Sequence, residues 1–259
     1  MRIVIKIGTS SLAHATGRLN IRRVEKLCKV ISDLKNAGHE MILVSSGAIG
    51  MGVGKLSLPG RPTDMPTKQA AAAVGQCELM YTYDRLFTEY NHTVAQVLIT
   101  GEDVLSPVRC EHFKNTMLRL LELGALPIIN ENDTVATDEI VMIGENDTLS
   151  AIVAVGIQAD LLVLLSDIDG LFDCDPKKNE HAKLIDEVRE LTPEIIALAG
   201  GKGSELGTGG MSTKLKAAKL AMDAGIDMII ANSENPTILY DIAEGIPVGT
   251  RFVGKGEKA

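Results

Sequence analysis

Tryptophan is absent from the chain, and aromatic residues of every kind make up only 3% of it. A core must therefore be built from Ile, Leu, Val, Ala and Met. Positive charge is also in short supply: 26 Lys and Arg stand against 34 Asp and Glu, a formal net charge of −8. That balance disfavours a nucleic-acid-binding surface, which needs clustered Lys and Arg. It leaves room for an anionic ligand, because a few local cations overcome a weak global field. The four cysteines, Cys28, Cys77, Cys110 and Cys174, lie at no metal-site spacing and read as reduced core thiols of a cytoplasmic protein. The five histidines are scattered, so no zinc site is expected and no metal ligand is assigned. No apolar run approaches the roughly 18 residues of a membrane span. The chain opens directly on a strand pattern, Arg2–Ile7, so no signal peptide and no membrane association are expected.

What is present is alternation. Short apolar runs at Arg2–Ile7, Met41–Ser45, Val94–Ile99, Leu126–Ile129, Leu161–Leu165 and Asp227–Ala231 read as strands. Between them, Ile21–Ala37, Lys68–Glu89, Glu111–Leu123, Asp147–Val155, Thr192–Ala199 and Thr213–Ala224 read as helices. The order predicts an α/β fold with a mostly parallel sheet covered by helices on both faces. Leu161–Leu165 is apolar at every position, as a strand buried on both faces should be. Gly38, Gly124 and Gly225 punctuate helix ends. The 259 residues read as one domain with two lobes, over about 1–155 and about 156–259.

Ligands of open α/β sheets sit beyond the C-terminal ends of the strands, so chemistry is sought there. Lys6 lies in an apolar strand and precedes Gly8-Thr-Ser-Ser11. Either the strand is an edge with a snorkelling lysine, or Lys6 has an anionic partner at a phosphate-binding turn. Ser45-Ser-Gly-Ala-Ile-Gly-Met-Gly-Val-Gly54 follows the second strand and reads as a glycine-rich ligand loop. Neither GxxxxGK[ST] nor GxGxxG occurs, which disfavours P-loop ATPases and Rossmann dehydrogenases. Two clusters, Asn130–Thr137 and Gly144–Ala151, share the run Glu-Asn-Asp-Thr; their carboxylates and amides suit an amino group and a nearby lysine, although Asn146 or Asp147 could simply cap a helix. Ser166–Pro176 carries four aspartates, yet Phe172 and Lys178 occupy the positions where a calcium loop needs Gly and Glu, so it reads as a nucleotide-contacting loop. Gly207-Thr-Gly-Gly-Met-Ser-Thr-Lys214 opens a helix and makes an anion site, with Lys214 in the first turn. The macrodipole disfavours a cation there unless a phosphate is bound.

Taken together, Val4–Ser10, Val44–Ala48, Ile129–Asp133, Gly144–Asp147 and Gly207–Lys214 resemble the amino acid kinase superfamily, and within it the branch that phosphorylates the γ-carboxylate of glutamate at the start of proline biosynthesis. The resemblance implies a three-layer αβα sandwich, with an amino-acid-binding lobe over about 1–155 and a nucleotide-binding lobe over about 156–259. It implies Lys6, Lys214 and Asp147 as catalytic residues, the lysines contacting the phosphoryl group in flight and Asp147 orienting them. It implies Ser46, Asp133 and Asn146 as glutamate-binding residues. It gives ATP to Lys6, Ser166, Asp167 and the loop of Thr208, Gly209, Gly210, Met211, Ser212, Thr213 and Lys214, with Mg²⁺ held mostly by phosphates and water. Cytoplasmic homo-oligomers (dimers or tetramers), feedback inhibition by proline and functional coupling to glutamyl phosphate reductase are further implied. The C-terminal PUA domain of many members has no counterpart in this sequence, which puts regulation and assembly in doubt. A kinase for N-acetylglutamate or aspartate, or a non-catalytic sensor of ATP or an amino acid, are the alternatives.

Overall fold

The computed structural model describes residues 1–14, 18–135, 146–176, 178–199 and 210–256. Its spine is one eight-stranded sheet made of β1 (Arg2–Ile7), β2 (Glu40–Ser45), β3 (Val94–Ile99), β4 (Leu126–Glu131), β5 (Leu161–Ser166), β6 (Glu187–Val188), β7 (Asp227–Asn232) and β8 (Thr250–Phe252). The strand order is β3-β4-β2-β1-β5-β7-β8-β6, and every pairing is parallel except β7 with β8. β5 is buried at all six positions, between β1 and β7. β1 is likewise central, flanked by β2 and β5, so the edge-strand explanation for Lys6 fails. The chain leaves β1 toward β2 on one side and later returns to build β5 and β7 on the other. The crevice beyond the C-terminal end of β1 is thus a topological switch point, where such sheets bind ligands.

Strand parity separates two cores. Ile3, Ile5 and Ile7 of β1 join Met41, Leu43, Val163 and Leu165 beneath α2 (Ile21–Asn36) and α4 (Met65–Thr88), contributing Leu27, Ile31, Leu79 and Tyr83. Val4 joins Ile42, Val44, Leu162 and Leu164 on the opposite face, beneath α7 (Asn146–Gly156) and α9 (Met211–Asp223), with Leu149, Val153 and Ala217. The result is helices, sheet, helices: three layers. Side chains two apart share a face, so Lys6 points with Val4 toward α7 and α9.

The six strands and six helices read from the sequence all exist, with ends shifted by a few residues. Gly38, Gly124 and Gly225 each take a positive φ just past a helix. Not anticipated were α1 (Thr9–Leu12), α5 (Gly101–Leu105), α10 (Ile238–Ala243), β6 and β8, all too short to display a period. Two readings are corrected. Of the four cysteines only Cys28 lies in the core; Cys77 is exposed and Cys110 and Cys174 are half-buried, because Cys77 and Cys110 fall off the buried stripes of their helices and Cys174 lies in a surface loop. The run after β2 is a ligand loop only as far as Gly47, because α3 occupies Ala48–Lys55. Of its glycines, Gly52 serves packing, while a Cβ on Gly54 would meet nothing within 4 Å. A Cβ on Gly52 would stand 1.8 Å from the Ala71 carbonyl oxygen, and one on Gly75 of α4 would stand 1.7 Å from the Ala48 carbonyl oxygen. The two helix backbones are in direct contact, which only glycine permits. No helix among the described residues is long and apolar enough to cross a membrane.

Candidate active site

Two clusters of polar side chains meet at the C-terminal edge of the central strands. The first is ionic. Asp147, in the first turn of α7, is 1% exposed. Its Oδ1 lies 2.6 Å from Lys6 Nζ, a close ion pair poorly directed for a hydrogen bond. Its Oδ2 accepts a hydrogen bond from Lys214 Nζ at 3.1 Å. Thr213 Oγ1 lies 3.0 Å from that same Oδ2 and 2.8 Å from the Gly210 carbonyl oxygen. Given the size of a carboxylate, the two ammonium nitrogens stand no more than about 8 Å apart. Lys6 and Lys214, 208 positions apart in the sequence, therefore share one carboxylate. Burial pushes the Asp147 carboxyl upward, but the two ammonium charges outweigh it and hold it at about 2. The carboxylate is thus ionised at any physiological pH, and among the described residues two cations against one anion leave one positive charge uncancelled. Leaving such a charge in a low-dielectric crevice is costly unless an anion arrives. Gly8 keeps the space beside it open, since a Cβ there would sit 3.5 Å from Lys6 Nζ.

The second cluster is built of neutral amides. Asn130, on β4, is buried and on the α4 side of the sheet. Its Oδ1 accepts from the Glu131 backbone N–H at 2.9 Å and from Asn146 Nδ2 at 3.1 Å. Its Nδ2 donates to Gln76 Oε1 of α4 at 2.9 Å. Asn146 Nδ2 also lies 2.8 Å from the Ser45 carbonyl oxygen and 2.8 Å from Ser46 Oγ. Asn146 therefore ties the ends of β2 and β4 to the start of α7, one residue before Asp147. Gly47, at φ +102°, turns the chain from β2 into α3 beside Ser46. Asp133, just beyond β4, is half-buried; burial raises its carboxyl to about 6 while the Arg61 guanidinium pulls it back. Burial, and the Asp133 charge after it, also raises Glu131.

The structure brings together Lys6, Asp147, Lys214 and Thr213 in one cluster and Ser46 and Asn146 in the other. Ser166 ends β5, buried, with its Oγ donating to Asp167 Oδ1 at 3.2 Å; Asp167 itself is exposed. Gly210 caps α9 without a side-chain bond, Met211 opens it, and Ser212 is exposed in its first turn. Thr208 and Gly209 lie outside the described residues. Gln76 was not among the residues singled out from the sequence. Its signal was there, since it falls on the buried stripe Ala72, Gln76, Leu79, Tyr83 and Leu86 of α4, where a polar residue is out of place.

A model of the amino acid kinase family matches residues 1–232. The chain belongs to that family. It is 56% identical over 258 residues to the glutamate 5-kinase of Clostridium perfringens (strain 13 / Type A), covering 98% of this chain and 96% of that protein. It is 53% identical over 260 residues to the glutamate 5-kinase of Listeria innocua serovar 6a, covering 99% and 94%. Among solved structures it is similar to the UMP kinase of Bacillus anthracis, with a TM-score of 0.66 at 19% identity, covering 98% and 96%. That likeness shows the amino acid kinase fold.

Proposed function

We propose that this chain transfers the γ-phosphoryl group of ATP to the γ-carboxylate of L-glutamate, giving L-glutamyl 5-phosphate and ADP, the first step of proline biosynthesis. The identity to curated glutamate 5-kinases supports the reaction. The observation that carries the chemistry is the buried Lys6–Asp147–Lys214 triad with its uncancelled positive charge. A glutamate side-chain carboxyl in water titrates at about pH 4.3, so the nucleophile is already ionised at neutral pH and no general base is required. A carboxylate oxygen forms a bond to the γ-phosphorus as the bond to the β–γ bridging oxygen breaks, and no proton moves. The difficulty is repulsion between two anions, so catalysis is positioning and charge neutralisation. Lys6 and Lys214 supply the charge, and Asp147 holds both where the phosphoryl group passes. Mg²⁺ belongs to this reading as part of the nucleotide substrate, bound mostly by phosphates and water.

The amino acid fits the second cluster. Asp133 faces the substrate ammonium, and Asn146 and Ser46 bind beside it. The nucleotide lies beyond β5 and α9, against Ser166, Asp167 and the loop running from Thr208 through Gly209, Gly210, Met211, Ser212 and Thr213 to Lys214. The labour divides near residue 155, amino acid before it and nucleotide after. Hydroxylamine trapping decides the reaction: with ATP and Mg²⁺, glutamate yields an acyl hydroxamate and ADP in equal amounts, whereas N-acetylglutamate, which lacks the ammonium, and aspartate do not. Hydroxamate from N-acetylglutamate but not glutamate would overturn the assignment. Membership of the family also suggests dimers or tetramers, a cytoplasmic setting, proline as a competitor for the amino acid site, and delivery of the labile product to glutamyl phosphate reductase. Gel filtration and a proline titration test the first and third of these.

A further inference from the structure

The amide cluster has a forced polarity. The Glu131 backbone N–H can only donate, so the Asn130 atom facing it must be the oxygen. The other Asn130 atom is then the nitrogen, and it must meet an oxygen on Gln76. This fixes an assignment that a lone carboxamide leaves open. Gln76 therefore turns its Nε2 away from Asn130. That nitrogen is buried and has no hydrogen-bond partner among the described residues. The residue as a whole is 8% exposed. Buried amide donors without partners are rare, and each calls for an explanation. Within one carboxamide the nitrogen and oxygen are about 2.3 Å apart, so the unpaired donor lies close to the Asn130–Asn146–Ser46 chain.

We infer that Gln76 Nε2 is a substrate-binding donor for the α-carboxylate of the amino acid, an inference that rests on the glutamate reading above. The choice of carboxylate follows from the sheet. The γ-carboxylate must reach the triad on the α7–α9 face, while Gln76 lies on the α4 side. The ammonium is taken by Asp133. The acceptor left for a donor on the far side is the α-carboxylate. Gly75, one residue before Gln76, sets α4 directly against the backbone of α3, so α4 is held at a fixed position beside the cluster.

Two variants test the inference. Gln76→Met is close in size and has no donor. Gln76→Glu keeps an oxygen for Asn130 and replaces the N–H with a carboxylate, and it is assayed at pH 8 to keep that group ionised. In each, KM for glutamate rises at least tenfold, while KM for ATP and kcat at saturating glutamate stay within threefold. The rise in melting temperature that glutamate alone gives the parent shrinks to match. Three results overturn the inference: a glutamate KM within threefold of the parent in a variant that melts cooperatively, a parallel rise in both KM values, or a fall in kcat comparable to the change in KM. The last would place the donor on the reacting γ-carboxylate instead. Asn146→Ala separates this failure from failure of the reading beneath it. If Asn146→Ala raises the glutamate KM and the Gln76 variants do not, only the role of Gln76 falls. If the parent forms no hydroxamate from glutamate, the reading itself falls.

Discussion

The two clusters at the end of the sheet are neighbours in space and opposites in physics. Asp147, in the first turn of α7, has both its oxygens taken by cations, whereas Asn146, one residue earlier, joins a chain of neutral amides. Charge in the first cluster acts on whatever anion is nearby, and in the proposed reaction its effect strengthens as charge builds on the transferring phosphoryl group. Amides in the second have fixed directions and modest energies, so they discriminate shape and hydrogen-bonding pattern. The difference implies a division of kinetic labour: changes in the ionic cluster act mainly on kcat, and changes around the amides act mainly on the KM of the amino acid.

The strongest attempt to break that division is Lys214→Ala. Asp147 would keep Lys6, so the buried pair stays balanced and the fold is retained. What disappears is the charge surplus. We expect kcat to fall by roughly 10²-fold or more, the scale of a lost electrostatic stabiliser, with a smaller change in either KM. Steady-state ADP release checks it, and unchanged turnover would end the triad's catalytic role. The counterpart in the other cluster is Asp133→Ala. Losing a charge-assisted contact to an ammonium of about 1.5–3 kcal/mol should raise the glutamate KM by roughly 10- to 100-fold and leave the ATP KM nearly unchanged. Equal effects on both substrates would erase the distinction between the clusters.

The ionic cluster was far more legible in the sequence than the amide one, for a physical reason. A lysine inside an apolar strand, and another in the first turn of a helix behind glycines, each contradict their local surroundings, and a contradiction is visible without a structure. Lys6 within Arg2–Ile7 and Lys214 after Gly210 are of this kind. The all-apolar β5 and the alternation of short and long elements made the parallel sheet readable too. Gln76 contradicts its surroundings only once the buried stripe of α4 is laid out, because glutamine is an ordinary residue on a helix. Gly52, among the glycines that follow β2, misled in the opposite sense. In composition, a helix pressed against another helix resembles a loop pressed against a ligand, since both require that no Cβ be present. Only the partner differs, and here it is the backbone at Ala71.

That distinction can be sharpened on stability instead of turnover. Alanine in a helix interior gains about 1 kcal/mol over glycine, so in a free loop or exposed helix Gly52→Ala would be neutral or stabilising. Against a carbonyl oxygen 1.8 Å from the new Cβ, the helices must part. Overpacking costs typically about 1–3 kcal/mol, and more where the neighbour is backbone that cannot rotate away. We expect a net loss of stability, seen as a melting point lower by roughly 2–4 °C per kcal/mol for a chain of this size. A melting point at or above the parent's would restore the loop reading of this segment.

The smallest effect separates the clusters by pH. Asp147, held at about 2, stays ionised across the working range and contributes no pH dependence there. Asp133, raised to about 6 chiefly by burial, does titrate. The ionised form attracts the substrate ammonium and the protonated form does not, so glutamate binding weakens as pH falls through 6 and is complete above it. Free glutamate changes charge little in this window, since its side-chain carboxyl titrates lower, at about pH 4.3. Between pH 7.5 and 5.5, one proton competing for one site gives a loss of about fourfold in kcat/KM for glutamate. Bound ammonium stabilises the carboxylate and lowers its pKa, so kcat itself should stay flat over the same range. In Asp133→Asn the kcat/KM profile should lose its acid limb while remaining low throughout. Glu131 is also raised by burial, and it is the group that would be responsible if the limb persisted in that variant. The amide cluster would then owe its pH dependence to the carboxylate at the end of β4, and Asp133 would lose its claim to the ammonium.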